Sequence, residues 1–199
     1  MAKVIKFPVS TPAKFGFKPV RRKRVVPPQN PAQLSLFTEG KQVKLNPIST
    51  FEEALLLDEQ GSPQAKACYL KAIDENDSVA DAYCNLGILE SESKNFVHAI
   101  DCFTRSLKES PRHFEAHYNL ANLYAEIGNF HLAKVHYGIA IEIEPDFPNS
   151  YFNLGLILAM DKEIENAILS LMRYRKLAAP EEQNQADELI NTLTRTIAR

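Results

Sequence analysis

Residues 82–90 read AYCNLGILE, residues 116–124 read AHYNLANLY, and residues 150–158 read SYFNLGLIL. One asparagine, followed by leucine and a small residue, returns at Asn85, Asn119 and Asn153, each 34 residues after the last. A fixed period of this length marks a stacked repeat, in which each unit buries its apolar face against its neighbours.

Units of that period fall at 46–79, 80–113, 114–147 and 148–181. Alanine holds the twentieth place in each: Ala65, Ala99, Ala133 and Ala167. A bulky residue holds the twenty-fourth: Tyr69, Phe103, Tyr137 and Leu171. Ala116, Leu120, Leu123 and Tyr124 form a helical stripe in the first half of the third unit, and Phe130, Ala133, Tyr137, Ala140 and Ile141 form another in its second half. Breaks are predicted near Gly61, Lys94, Gly128 and Lys162, where Gly128 suits the left-handed end of a helix. Ser62-Pro63 reads as an N-cap with proline at the first helical position. Pro111 and Pro145 stop the second helices. Small residues at the eighth place (Gly87, Ala121, Gly155) and the twentieth should let paired helices approach closely. Residues 181–199 read as one more amphipathic helix, with Leu189, Ile190, Leu193 and Ile197 covering the last unit.

These places resemble the tetratricopeptide repeat family, with its 34-residue period and its Leu-Gly, aromatic, Ala, Phe and Pro positions. The resemblance spans about residues 46–180 and is weakest in the first unit, where Glu53 replaces the small residue and Asp77 replaces proline. It implies an all-α, right-handed solenoid of antiparallel helix pairs, nine helices in all, with 181–199 as a C-terminal capping helix.

The family's first helices line a concave groove. Asn85, Asn119 and Asn153 hold the sixth place on those helices, beside the stripe that packs inward. A side-chain amide can both accept from a peptide N–H and donate to a C=O. With helices roughly 8–10 Å apart and an extended chain rising about 3.3 Å per residue, one Asn would meet about every third peptide residue. The arrangement resembles the asparagine ladder of the O-linked N-acetylglucosamine transferase superhelix; nothing else of that enzyme carries over. The competing reading is that these amides satisfy neighbouring helices or face water. Further groove places hold Ile88, Tyr118, Asn122, Phe152 and Leu156, with Cys84 and the acids Asp58, Asp81, Glu92, Glu115 and Glu126. In the first unit they fall on Pro47, Thr50, Ala54, Leu57 and Asp58. No base stands among them, so the carboxylate grip of the family's chaperone-binding members is rejected. Such a groove should prefer a protein or peptide partner with apolar anchors and Lys/Arg.

Net charge is −2, but the first 46 residues hold ten Lys/Arg and one acid, while the remainder is strongly acidic. Residues 1–45 also contain Pro8, Pro12, Pro19, Pro27, Pro28 and Pro31 and lack a sustained period. They are expected to be a largely disordered basic tail. Its basic run is Lys18, Arg21, Arg22, Lys23 and Arg24. In PAQLSLFTEG (31–40), Gln33, Leu34, Ser35, Leu36 and Phe37 resemble the pentapeptide with which bacterial replication and repair proteins dock on the polymerase sliding clamp. The plainer reading is an apolar cap, formed by Leu34, Leu36 and Phe37, over the weak first unit.

Catalytic chemistry is not legible. His113, Glu115 and His117 are spaced H-x-E-x-H, which is not the zinc-protease pattern. No metal, cofactor or small-molecule substrate is expected, and an enzyme is not. Three separated cysteines imply reduced thiols and a cytoplasmic setting, and no apolar run is long enough for a membrane span. The leading reading is a protein–protein interaction scaffold. The alternatives are an adaptor that contacts nucleic acid or a clamp through its tail, and a self-inhibited module with the basic tail in the acidic groove.

Overall fold

A computed structural model describes residues 18–20 and 48–197. Among these, α1 (Thr50–Glu59), α2 (Ala65–Asp74), α3 (Val79–Glu92), α4 (Phe96–Glu109), α5 (Phe114–Glu126), α6 (Phe130–Ile143), α7 (Pro148–Met160), α8 (Ile164–Leu177) and α9 (Gln183–Ile197) form an all-α stack, with a 3-10 turn at Pro180–Glu182. The helices pack most closely as α1·α2, α3·α4, α5·α6 and α7·α8, each pair then leaning on the next, while α3·α5 and α5·α7 touch along one face. Arg21–Arg24 and the Gln33–Phe37 pentapeptide lie outside the described residues, as does most of the expected tail.

The breaks share one chemistry. Gly61, Lys94, Gly128 and Lys162 all adopt positive φ, at 66°, 62°, 81° and 65°. After each, the next amide reaches back to a carbonyl of the preceding turn: Asn95 N–H to Glu90 O at 2.8 Å, Asn129 to Tyr124 at 2.8 Å, Glu163 to Leu158 at 2.9 Å, and Ser62 to Leu57 at 2.9 Å. This closure satisfies orphan carbonyls and reverses the chain. Two lysines therefore hold a conformation that costs a residue with a Cβ about 1–2 kcal/mol.

Close approach occurs where small residues recur: the eighth place meets the bulky twenty-fourth, and at Gly155 an added Cβ would also lie 3.4 Å from the backbone oxygen of the twentieth-place Ala167. A Cβ built on Gly87 would lie 2.8 Å from the Phe103 ring, and one on Gly155 would lie 2.8 Å from Leu171 Cγ. Phe103 and Leu171 are fully buried and fill the space the glycines leave.

The first pair corrects the sequence register. Gly61 precedes Lys94 by 33 residues, not 34, because it stands four residues before Ala65 where Lys94 stands five before Ala99. The small place of α1 is therefore Ala54, fully buried with Tyr69, and not Glu53. The ladder place falls on Glu52, which closes a capping box with Ser49 instead. The inward places move by one as well, so the first-unit groove set above is displaced. Asp58 receives the Tyr69 hydroxyl at 2.9 Å. Asp77 is not a failed proline: its carboxylate accepts the Phe51 amide at 2.7 Å, capping α1 from the next turn.

Two smaller expectations also change. Helix α2 begins at Ala65, because Ser62, Pro63 and Gln64 form a turn in which Ala65 N–H reaches Ser62 O at 3.1 Å. On α9 the buried stripe is Ala186, Leu189 and Leu193, with Ile190 at its edge. Ile197 is exposed, one turn beyond the last contact.

Candidate functional site

Helices α3, α5 and α7 bring Asn85, Asn119 and Asn153 onto the face where these helices touch. All three are almost wholly buried. A buried amide must find partners, and here they differ along the row.

Asn85 and Asn119 hold a segment of the chain's own N-terminal region. Lys18 N–H donates to Asn119 Oδ1 at 2.7 Å, and Asn119 Nδ2 donates to Lys18 O at 2.9 Å. Val20 N–H donates to Asn85 Oδ1 at 2.8 Å, and Asn85 Nδ2 donates to Val20 O at 3.0 Å. Each amide thus satisfies both backbone groups of one residue. The segment runs against the order of the repeats, reaching α5 first and α3 second.

The spacing is two residues per asparagine, not three. In an extended chain the N–H and C=O of one residue point to the same edge, and that edge recurs every second residue. A third residue would turn its polar groups away. Pro19 occupies the intervening place, where no amide is asked for, and proline biases Lys18 before it toward the extended conformation.

The side chains are also received. Val20 is buried and belongs to the cluster containing Cys84, Ile88, Ala116 and Leu120. Lys18 Nζ lies 3.3 Å from Glu115 and 3.5 Å from Glu144. It also sits over the Phe114 and Phe147 rings, 4.1 and 4.6 Å from their centroids. Two carboxylates and two aromatic faces make a cation seat. Only Glu115 of these four was named from the sequence. Phe114 is the first residue of α5, while Glu144 and Phe147 come from the α6–α7 turn. Their signal in the sequence is an acid and aromatics beside the groove places, outside the inward helix faces.

Asn153 is engaged differently. Its Nδ2 donates to Tyr118 Oη and to Asn122 Oδ1, both at 3.1 Å. Asn122 Oδ1 also accepts from the Tyr137 hydroxyl at 2.5 Å. Tyr118 is buried, its hydroxyl pushed up to about 12 by burial. Asn153, Asn122 and Tyr118 therefore form an internal network under the groove. Ile88 and Phe152 are buried and Leu156 is half-buried.

Other candidates are structural. Burial raises the Cys84 thiol well above its ordinary range, and Asn119 Nδ2 approaches its sulfur at 3.7 Å. His113 caps α5: its Nδ1 accepts Ala116 N–H at 3.2 Å, so Nε2 carries the proton toward Asp81 at 2.9 Å. His117 donates from Nε2 to Pro111 O at 3.1 Å, leaving Nδ1 to accept from His136 at 2.9 Å. Among the described residues, no cluster of His, Cys, Asp and Glu could hold a metal ion, and no helix is long and apolar enough to cross a membrane.

No curated protein matches the chain. Among solved structures, MamA residues 41 to the end, from Desulfovibrio magneticus RS-1, shares 19% identity at a TM-score of 0.61, covering 75% of this chain and 93% of that one. The TPR2B domain of yeast Sti1, solved with pHsp70, shares 22% at 0.53, covering 59% and 97%. The first TPR of Spaghetti (RPAP3), bound to the HSP90 peptide SRMEEVD, shares 18% at 0.56, covering 60% and 94%. Residues 114–147 match the family model of the tetratricopeptide repeat. The chain thus contains a tetratricopeptide repeat at α5–α6 and carries the fold of that family through its other described helix pairs.

Proposed function

We propose that this protein is a non-enzymatic interaction scaffold that binds an extended peptide segment along the face of α3 and α5. The observation that carries this reading is the paired bonding of Asn85 and Asn119 to the backbones of Val20 and Lys18. That chemistry reads main chain, so it serves any extended segment whose side chains suit the flanking pockets. Structural neighbours support the class: Sti1 and RPAP3 domains were solved with pHsp70 and an HSP90 peptide. The ligand chemistry differs, however. SRMEEVD is acidic at its end, whereas Glu115 and Glu144 here flank a cation seat.

Display of random twelve-residue peptides on the full chain, with Lys18→Glu and Val20→Asp introduced to vacate the groove, tests the reading. Selected peptides should lose at least about tenfold in affinity when Asn85 and Asn119 are both changed to Ala, since each unsatisfied peptide group typically costs about 1–3 kcal/mol. Unchanged affinity with helicity intact would refute groove binding.

A further inference from the structure

We propose that the groove selects a segment with lysine followed two residues later by a small aliphatic residue, and that Lys18–Val20 is a resident copy which a partner must displace. This rests on the peptide-binding reading above and specifies its ligand.

The selectivity follows from the register. The two asparagines fix the frame by binding residues i and i+2 through their backbones. Once that frame is set, the side chain at i meets Glu115, Glu144, Phe114 and Phe147, which favour a cation. A carboxylate there would face two like charges, which disfavours the wrong ligand while the rings favour the right one. The side chain at i+2 joins the buried apolar cluster that contains Cys84, Ile88, Ala116 and Leu120, where a charge would be buried without a partner. The residue between them lends no amide to the ladder, so proline is tolerated and shortens the list of unbound conformations.

Displacement follows from connectivity. Twenty-seven residues separate Val20 from Ile48, and fully extended they could span roughly 90 Å. A tethered ligand acts at an effective concentration that is millimolar for short flexible connections and falls as the connection lengthens. An outside segment making the same contacts therefore competes at a disadvantage. It gains access when it binds more sites along the groove, or when something removes Lys18 from its seat.

The probe is a fluorescent peptide with the sequence of residues 14–21, KFGFKPVR, titrated by anisotropy into the full chain and into the full chain carrying Lys18→Glu and Val20→Asp. A milder pair, Lys18→Ala and Val20→Ala, guards against an unrelated effect of the new charges. The expected result is at least tenfold tighter binding to both vacated chains than to the unchanged one. In the vacated chains, a probe with glutamate for its lysine or aspartate for its valine should bind at least tenfold more weakly. Equal binding to unchanged and vacated chains would overturn the resident-copy inference. Equal binding of the altered probes would overturn the selectivity while leaving peptide binding intact. If KFGFKPVR fails to bind but display-selected peptides do so through Asn85 and Asn119, the ligand assignment falls alone. If neither binds, the functional reading falls with it.

Discussion

Changing Asn119 to Ala removes two hydrogen bonds, from Lys18 N–H at 2.7 Å and to Lys18 O at 2.9 Å. Asn119 is the better choice for this test because Asn85 also reaches the Tyr69 hydroxyl at 3.2 Å, a contact within the core. A typical net bond is worth about 0.5–1.5 kcal/mol, so the pair contributes about 1–3 kcal/mol to docking of the segment. At 1.4 kcal/mol per factor of ten, the docking equilibrium constant should fall about fivefold to 150-fold. Amide hydrogen exchange reads this directly, because exchange protection reports the free energy of local opening. The informative amide is Val20, whose own acceptor, Asn85, is untouched. If residues 18–20 dock as one unit, Val20 protection should fall along with that of Lys18. Amides within α5 and α6 should keep theirs, showing that the body is intact. Unchanged exchange at both Lys18 and Val20 would refute the claim that the ladder holds the segment. Loss at Lys18 alone would refute its docking as a unit.

Gly87→Ala should destabilise the fold by about 1 kcal/mol in urea unfolding: the 2.8 Å approach to the buried Phe103 ring costs about 1–3 kcal/mol, against a helix-propensity gain of about 1 kcal/mol. Lys162→Gly should raise stability by about 0.5–1 kcal/mol, because φ of 65° strains any residue with a Cβ; a lower denaturation midpoint would contradict this. Burial and the neighbouring His117 push His136 down to about 4 from an ordinary 6.5, so the folded state prefers it neutral. That contribution is complete above pH 6.5 and is lost as pH falls toward 4. His136→Asn should flatten this part of the pH profile of the urea midpoint, and an unaltered slope would place the titration elsewhere.

The repeat was legible because its packing rests on residue size at fixed offsets. Glycine or alanine against Phe103, Tyr137 or Leu171 leaves a pattern that survives changes of surface. The first pair escapes the count for the same reason: counting by 34 cannot see one residue missing between Gly61 and Ala65, and only the coincidence of Gly61, Lys94, Gly128 and Lys162 in one backbone conformation reveals it. The asparagines at 85 and 119 were legible as bidentate groups. Their two-residue step was not, because the distance between helices carries no trace of the alternation of an extended chain. The cation seat was divided between a helix start and an inter-repeat turn, so no single helix face contained Glu115, Glu144, Phe114 and Phe147.

The different fate of Asn153 shows what separates a ligand contact from a structural amide at the same repeat position. Tyr118 and Asn122 present an oxygen each, 3.1 Å from Asn153 Nδ2, and Tyr137 adds its hydroxyl to the same network. At Asn119 the corresponding residue of the preceding repeat is Cys84, a much weaker acceptor at 3.7 Å, and the bulky residue is Phe103, with no hydroxyl at all. Asn119 is therefore left with a buried amide that its own repeats cannot satisfy, and an extended backbone supplies the missing donor and acceptor. Asn85 is intermediate, sharing its Nδ2 between Val20 O and Tyr69 Oη. The energetic need for an outside partner is thus graded along the row: greatest at Asn119, smaller at Asn85 and least at Asn153. It is set by whether a cysteine or a tyrosine stands one repeat earlier, and by whether an amide such as Asn122 or an apolar residue such as Ile88 stands four residues beyond it.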